Sequence, residues 1–229
     1  MPGDQPRVVV ARASDEHGEV ALARRGEVVE LVVNGVFAMD TVDTTTERAL
    51  AELALAHVVG GGLHALVGGL GLGFTVRALL DDPRVARVDV VELHAPLVAW
   101  AHQGVATPLA GLIGDPRVGV KVADILDEVP ALTPASVDVL LLDVDNGPGF
   151  LVHDRNANVY RSPFLAAAAR ALSRRGVLGV WSADPSPELT AALAAACGAV
   201  ETVTLDVARD GRSFTYTLYL ADAPAVVEH

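Results

Sequence analysis

Cysteine occurs once in the 229 residues, as Cys197. One thiol cannot close an internal disulfide, so the fold must rest on its core. The seven histidines are scattered and no recurrent ligand spacing accompanies them, so no metal site is expected. Lysine also occurs once, as Lys121, and the formal net charge is −12 with a pI near 4.9. Neutralising phosphates takes clustered Lys and Arg, so nucleic acid is excluded as a partner. No uninterrupted apolar run approaches the about 20 residues that cross a bilayer as a helix. The most apolar segments, Val137–Leu142 and Val177–Trp181, have the length of strands, so no membrane partner is expected. The opening "MPGDQPRVVVARASDEHGE" lacks the apolar core of a secretory signal, and a soluble, cytoplasmic protein is expected. Aromatic residues are only 4% of the chain; Trp100 and Trp181 read as core or pocket wall.

What the chain has is apolar mass: 51% of residues are hydrophobic, enough for a sizeable core in one domain with an appendage. The acid excess serves solubility and would also draw in a cationic substrate.

The patterning divides the chain into residues 1–43, a short N-terminal β-hairpin segment, and residues 44–229, a nucleotide-binding type of domain. Glu19–Arg24 and Val28–Phe37 are β-prone and flank Arg25–Gly26, as in a hairpin. Thr44 and Glu47 have the spacing of a capping box at the head of a helix that Gly60–Gly62 ends. Strands and helices then alternate. Strands are expected at Leu63–Val67, Val88–Glu92, Arg117–Val122, Val137–Asp143 and Val177–Trp181. Helices are expected at Phe74–Leu80, Pro96–Gln103, Ser162–Arg174 and Pro187–Cys197. Val200–Val207 and Ser213–Leu220 close the chain as a hairpin turned at Arg209–Arg212. This order gives an α/β fold, with a mostly parallel seven-stranded sheet ending in an antiparallel hairpin. That combination resembles the Rossmann-like fold of class I S-adenosylmethionine-dependent transferases more than that of dinucleotide dehydrogenases, which tend to continue in parallel.

The chemistry-bearing residues lie at the ends of the expected strands. "VGGLGLG" at Val67–Gly73 puts Gly69, Gly71 and Gly73 where backbone can approach a ligand, or where a tight packing turn is needed. Glu92 stands 19 residues after Gly73, a spacing that suits a two-point grip on ribose hydroxyls. Asp124 faces the place of an adenine edge, with Ile125 as an apolar wall, or caps the short helix that follows it. "LLDVDNGPGF" delivers Asp143, Asp145 and Asn146 to the carboxyl edge of the sheet. Two close carboxylates there can hold an amine and take its proton; alternatively, the acids staple the loop through Asx turns. His153, in the loop at Val144–Asn158, reads as a second base or as a solvated loop histidine.

On these motifs, Val28 to Ser182 resembles the spermidine synthase (polyamine aminopropyltransferase) family. "VGGLGLG" is similar to its "GGGDGG" loop, "VVELHAPLVAWA" to its ribose-binding strand and helix, and "DPRVGVKVAD" to its "DPRV…D" segment. "LLDVDNGP…VY" is similar to its "D-x-x-D-P-x-G-P…LY" catalytic loop. The resemblance implies that Gly69, Gly71, Gly73, Glu92, Asp124, Ile125 and Asp143 bind S-adenosylmethionine or its decarboxylated form. It implies catalysis by Asp145 assisted by Asp143, Tyr160 closing the loop, and acceptor binding by Asn146, Glu47 and Tyr160. It further implies an N-terminal lid that pairs the chain as a homodimer. The sequence departs from the pattern at four places. Gly71 stands for the loop Asp that holds the transferred amine, Ala38 and Met39 for a Gln, and Thr46 for a His, and the catalytic loop is two residues shorter.

Three functions follow. The first is alkylation of a small-molecule amine, by aminopropyl transfer to a polyamine-like acceptor. The second is methyl transfer on the same fold, to which "DNGPGF" bears a faint likeness and which loss of the loop Asp favours. The third is a non-catalytic ligand-binding homologue.

Overall fold

The structure is a computed structural model, and it describes residues 5–209 and 212–224. The chain begins with β1 (Val8–Asp15), β2 (Gly18–Arg25), β3 (Val28–Val33) and β4 (Val36–Asp40), an antiparallel sheet in that spatial order. Sequence patterning anticipates one hairpin; the structure has four strands. The run Val28–Phe37 is folded back on itself at Asn34–Gly35, both left-handed (φ 52° and 77°), the backbone a two-residue hairpin turn requires. β1 escapes the pattern because Val8, Val9 and Val10 are exposed and only the small Ala11 and Ala13 pack against the core.

The second unit runs through α1 (Thr45–His57), β5 (Leu63–Gly68), α2 (Phe74–Asp81), β6 (Val85–Glu92), α3 (Ala95–His102) and β7 (Val118–Val122). It continues with α4 (Ile125–Ala131), β8 (Val137–Leu142), α5 (Ser162–Ala171), β9 (Leu172–Ser182), α6 (Pro187–Cys197), β10 (Val200–Arg209) and β11 (Arg212–Asp222). The spatial order is β10-β11-β9-β8-β5-β6-β7. Only β11 runs against the others, pairing antiparallel with both β9 and β10. Asp210 and Gly211, the centre of the expected turn, lie outside the described residues, but the flanking strands pair from Val200↔Ala221 to Arg209↔Arg212.

Helices cover both faces of the sheet, so its central strands are apolar on both sides. Val67, Val90, Val139 and Leu141 pack under α1, α2 and α3, while Leu66, Val91, Leu140 and Leu142 pack under α4, α5 and α6. Several boundaries differ by a few residues from expectation, and two differences have a clear cause. The helix expected to reach Arg174 ends at Ala171, because Leu172 already pairs with Val137. The capping box at Thr44 is not made: the Thr44 side chain caps nothing, and Asp43 Oδ1 instead accepts from the Thr45 N–H at 3.0 Å. Among the described residues no helix is long and apolar enough to cross a membrane.

From β5 the chain steps outward through β6 and β7, then returns to lay β8 on the other side of β5. The crevice at the carboxyl ends of β5 and β8 is the switch point at which open α/β sheets bind ligands.

Candidate active site

A cleft with a cavity volume of about 130 Å³ opens at that switch point, roofed by Leu31, Val33, Ala38 and Met39 of the N-terminal sheet. Of the residues singled out in the sequence, Glu47, Gly69, Gly71, Glu92, Asp124, Ile125, Asp143, Asp145 and Asn146 line it. Gly73 and Tyr160 do not.

The loop after β5 crosses the end of β8 tightly. A Cβ at Gly69 would sit 2.2 Å from the Asp143 carbonyl oxygen, so only glycine fits. A Cβ at Gly71 would lie 2.7 Å from Met39 Sδ, which itself accepts from the Leu72 N–H at 3.0 Å. Gly73 begins α2 and gives way to Leu109 and Leu112, a packing role.

Glu92 is buried at the end of β6. Its Oε2 accepts from the Leu70 N–H and its Oε1 from the His94 N–H, each at 2.8 Å. Burial pushes its carboxyl above the usual range, and those two N–H groups oppose the shift. Asp124 caps the helix that follows it, one of the two sequence readings. Its Oδ1 caps α4 by accepting from the Leu126 N–H at 2.8 Å, Arg155 Nη1 lies 3.2 Å from Oδ2, and the residue also lines the cleft beside the buried Ile125.

The two acids after β8 have different surroundings. Asp143 accepts one hydrogen bond, from Thr75 Oγ1 at 2.9 Å, and burial lifts its pKa to about 6. Asp145 is surrounded by donors. Its Oδ1 accepts from the N–H groups of Asn146 and Val152, both at 2.8 Å. Its Oδ2 accepts from Asn156 Nδ2 at 2.9 Å and from the His153 N–H at 3.4 Å. A carboxylate offers about four lone pairs, so Asp145 is committed to holding the loop. Tyr160 is buried beneath that loop and hydrogen-bonds the Gly147 backbone; burial, then Asp145 and Asp143, raise its phenol. Glu47 does not cap α1. It is buried in the cleft wall and accepts from Thr46 Oγ1 at 2.8 Å.

Sequence reasoning missed His94, Asp15 and Thr75 as neighbours of the site, while Trp181, read as core or pocket wall, lines the cleft. Buried His94 lies two residues beyond Glu92, a signal that was available. The approach of Asp15 from the other sheet left no local signal. His153, read as a solvated loop residue or a base, is half-buried in the cleft wall, 3.2 Å from His94.

A second cleft, of about 610 Å³, adjoins the first and shares Ala38, Met39, Glu47, Asn146 and Trp181 with it. Glu30, Asp40 and Asp43 make its wall acidic, suited to a cationic entrant, with Arg7 and Arg25 facing Glu30. Among the described residues no group of three or more His, Cys, Asp or Glu is placed to hold a metal ion.

No protein-family model matches the chain. It is 29% identical over 185 residues to a polyamine aminopropyltransferase of Mycobacterium tuberculosis, covering 80% of this chain and 34% of that protein. It is 34% identical over 138 residues to polyamine aminopropyltransferase 2 of Streptomyces coelicolor, covering 58% and 24%. The chain therefore spans about a third or less of the length of these curated relatives. Among solved structures, a spermidine synthase in complex with the transition state analogue AdoDATO superposes with a TM-score of 0.80 at 16% identity, over 96% of this chain and 75% of that one. The spermidine synthase of Thermotoga maritima gives 0.78 at 15% identity, over 96% and 73%. These two likenesses show a common fold.

Proposed function

We propose that this chain, spermidine synthase-like in sequence and fold, transfers an aminopropyl group from decarboxylated S-adenosylmethionine to a polyamine-like amine. The observation that carries the reading is the convergence of Glu92, Asp124 and Asp143 on one cleft at the β5/β8 switch point, beside a second cleft with acidic walls. Glu92 takes the donor's ribose hydroxyls, while Ile125 and Asp124 flank its base. The amine enters past Glu47 and Asn146, which border both clefts.

Sulfonium is a good leaving group, so catalysis is mostly alignment in a dry site. The nitrogen–carbon bond forms as the carbon–sulfur bond breaks, its electron pair leaving on sulfur. The alkylated nitrogen then sheds a proton. The sequence reading gives deprotonation of the amine to Asp145, assisted by Asp143. We assign the shed proton to Asp143, which among the described residues has a single protein donor and whose carboxyl is lifted to about 6, poised to accept near neutrality. Asp145 holds the loop that carries Asn146 and His153. In this reading residues 1–43 form the lid and 44–229 the catalytic unit. The protein is a cytoplasmic homodimer paired through the N-terminal sheet, whose outer strand exposes Val8, Val9 and Val10.

One observation favours methyl transfer from S-adenosylmethionine as a second reading. The loop at Gly69–Gly73 presents no carboxylate, and the Met39 thioether occupies the space beside Gly71. Purified protein incubated with putrescine and either donor, with products identified by mass, separates the two. An aminopropylated amine supports the first reading, a methylated amine the second, and no product with any polyamine refutes both.

A further inference from the structure

Three residues from separate parts of the chain form a line that ends in the cleft wall. Asp15 closes β1, His94 follows β6, and His153 lies in the loop after β8. Asp15 Oδ2 is 3.2 Å from His94 Nδ1, and His94 Nε2 is 3.2 Å from His153 Nε2, with ring centroids 5.3 Å apart. His94 is buried, and both imidazoles line the cleft.

Proton bookkeeping along this line has one solution for neutral rings. An ionised carboxylate only accepts, so His94 carries its proton on Nδ1. Its Nε2 is then bare and must accept, so His153 carries its proton on Nε2. That leaves the lone pair of His153 on Nδ1. Asp15 thus fixes the tautomer of His94, and His94 fixes that of His153, the logic by which a buried acid orients a catalytic imidazole. The titratable groups around His153 are His94, His17, Asp15 and Asp145. Burial, then His94, and more weakly His17 hold its pKa below the ordinary 6.5, against the pull of the two acids, so the ring is neutral at pH 7.

We propose that His153 is a second proton acceptor of this site, positioned by His94 and Asp15. The proposal rests on the transfer reading above and divides its protons. A polyamine amine arrives as an ammonium and must lose one proton before it has a lone pair with which to attack. That proton passes to His153 Nδ1, giving an imidazolium whose charge His94 and Asp15 share. Asp143 then takes the second proton, from the nitrogen once it is alkylated, and the secondary amine leaves neutral.

The test pairs a kinetic and a substrate-free measurement. With decarboxylated S-adenosylmethionine and putrescine as probes, the acid limb of kcat against pH should carry two ionisations. His153→Gln should lower kcat about a hundredfold, leave donor binding unchanged and reduce the limb to one ionisation. Asp15→Asn removes a charge that favours the imidazolium, so the second ionisation should move to lower pH with the fold intact by thermal melting; a purely structural contact would not move it. Nitrogen-15 spectra of the free protein should show His153 as the Nε2–H tautomer. A wild-type kcat and a two-ionisation limb in His153→Gln, or the Nδ1–H tautomer in the wild type, overturns the proposal. A wild type without turnover overturns the transfer reading and the role of His153 with it; the tautomer spectrum, which needs no substrate, tells that failure from a failure of the relay.

Discussion

Replacing Asp143 by Asn should make the protein more stable and less active, with a stability gain that depends on pH. The carboxyl is lifted from its ordinary 3.8 to about 6 because burial penalises its charged form. In the unfolded chain it ionises near 3.8. Between these values the unfolded state has released its proton and the native state has not, so native stability falls as pH rises through that window. Below 3.8 both states are protonated and the penalty is absent. Above about 6 both are ionised and the penalty is complete. At about 1.4 kcal/mol per tenfold, the penalty is at most about 3 kcal/mol, and less to the extent that the edge facing the cleft keeps water. Asn keeps an oxygen for the 2.9 Å bond from Thr75 Oγ1 and carries no charge. Urea denaturation of both proteins from pH 4 to pH 8 should show a difference that grows with pH and levels off above about 6, while turnover collapses. A constant difference across that range would refute the burial argument, whatever happened to turnover.

Asp145→Ala should loosen the loop more than the fold. It strips partners from the Val152 N–H and Asn156 Nδ2 at 2.8 and 2.9 Å, at about 1.5–3 kcal/mol per bond to a charged group. Hydrogen exchange should rise at Val152 and His153 while the sheet stays protected. Gly71→Ala places a Cβ 2.7 Å from Met39 Sδ at φ 50° and should cost about 1–2 kcal/mol. Met39→Ala in the same chain should recover part of that, a coupling a double-mutant cycle will measure. Cys197 is buried and its thiol pushed up to about 11 by burial, then by Asp222. It should resist alkylation at pH 8 in the native protein and react once the protein is unfolded in urea.

The sheet was legible because its strands are continuous apolar runs between helices of contrasting period, as at Val137–Leu142 and Val177–Trp181. It was illegible where one short signal sat inside a longer one. Asn34–Gly35 is a sound hairpin turn, but the apolar run around it reads as a single strand. The acids of the site were legible as polar residues that end buried strands, as Glu92 and Asp143 do. Their division of labour was not, because it depends on how many donors each meets. Asp145 gathers its partners from as far along the chain as Asn156, and spacing alone cannot count them. Glu47 has the spacing of a capping residue, yet the backbone at Thr44 presents it to the cleft instead. Asp15 and His94 are 79 positions apart, and only the approach of the two sheets brings them together.

The central claim is that this cleft holds a nucleoside sulfonium through Glu92. Calorimetric titration of the wild type and of Glu92→Ala with decarboxylated S-adenosylmethionine, S-adenosylmethionine and 5′-methylthioadenosine tests it most directly. The account predicts that the decarboxylated donor and the thioether bind the wild type, with S-adenosylmethionine weaker, and that Glu92→Ala loses about tenfold or more in affinity. No binding of any of the three, or equal binding by Glu92→Ala, would contradict it.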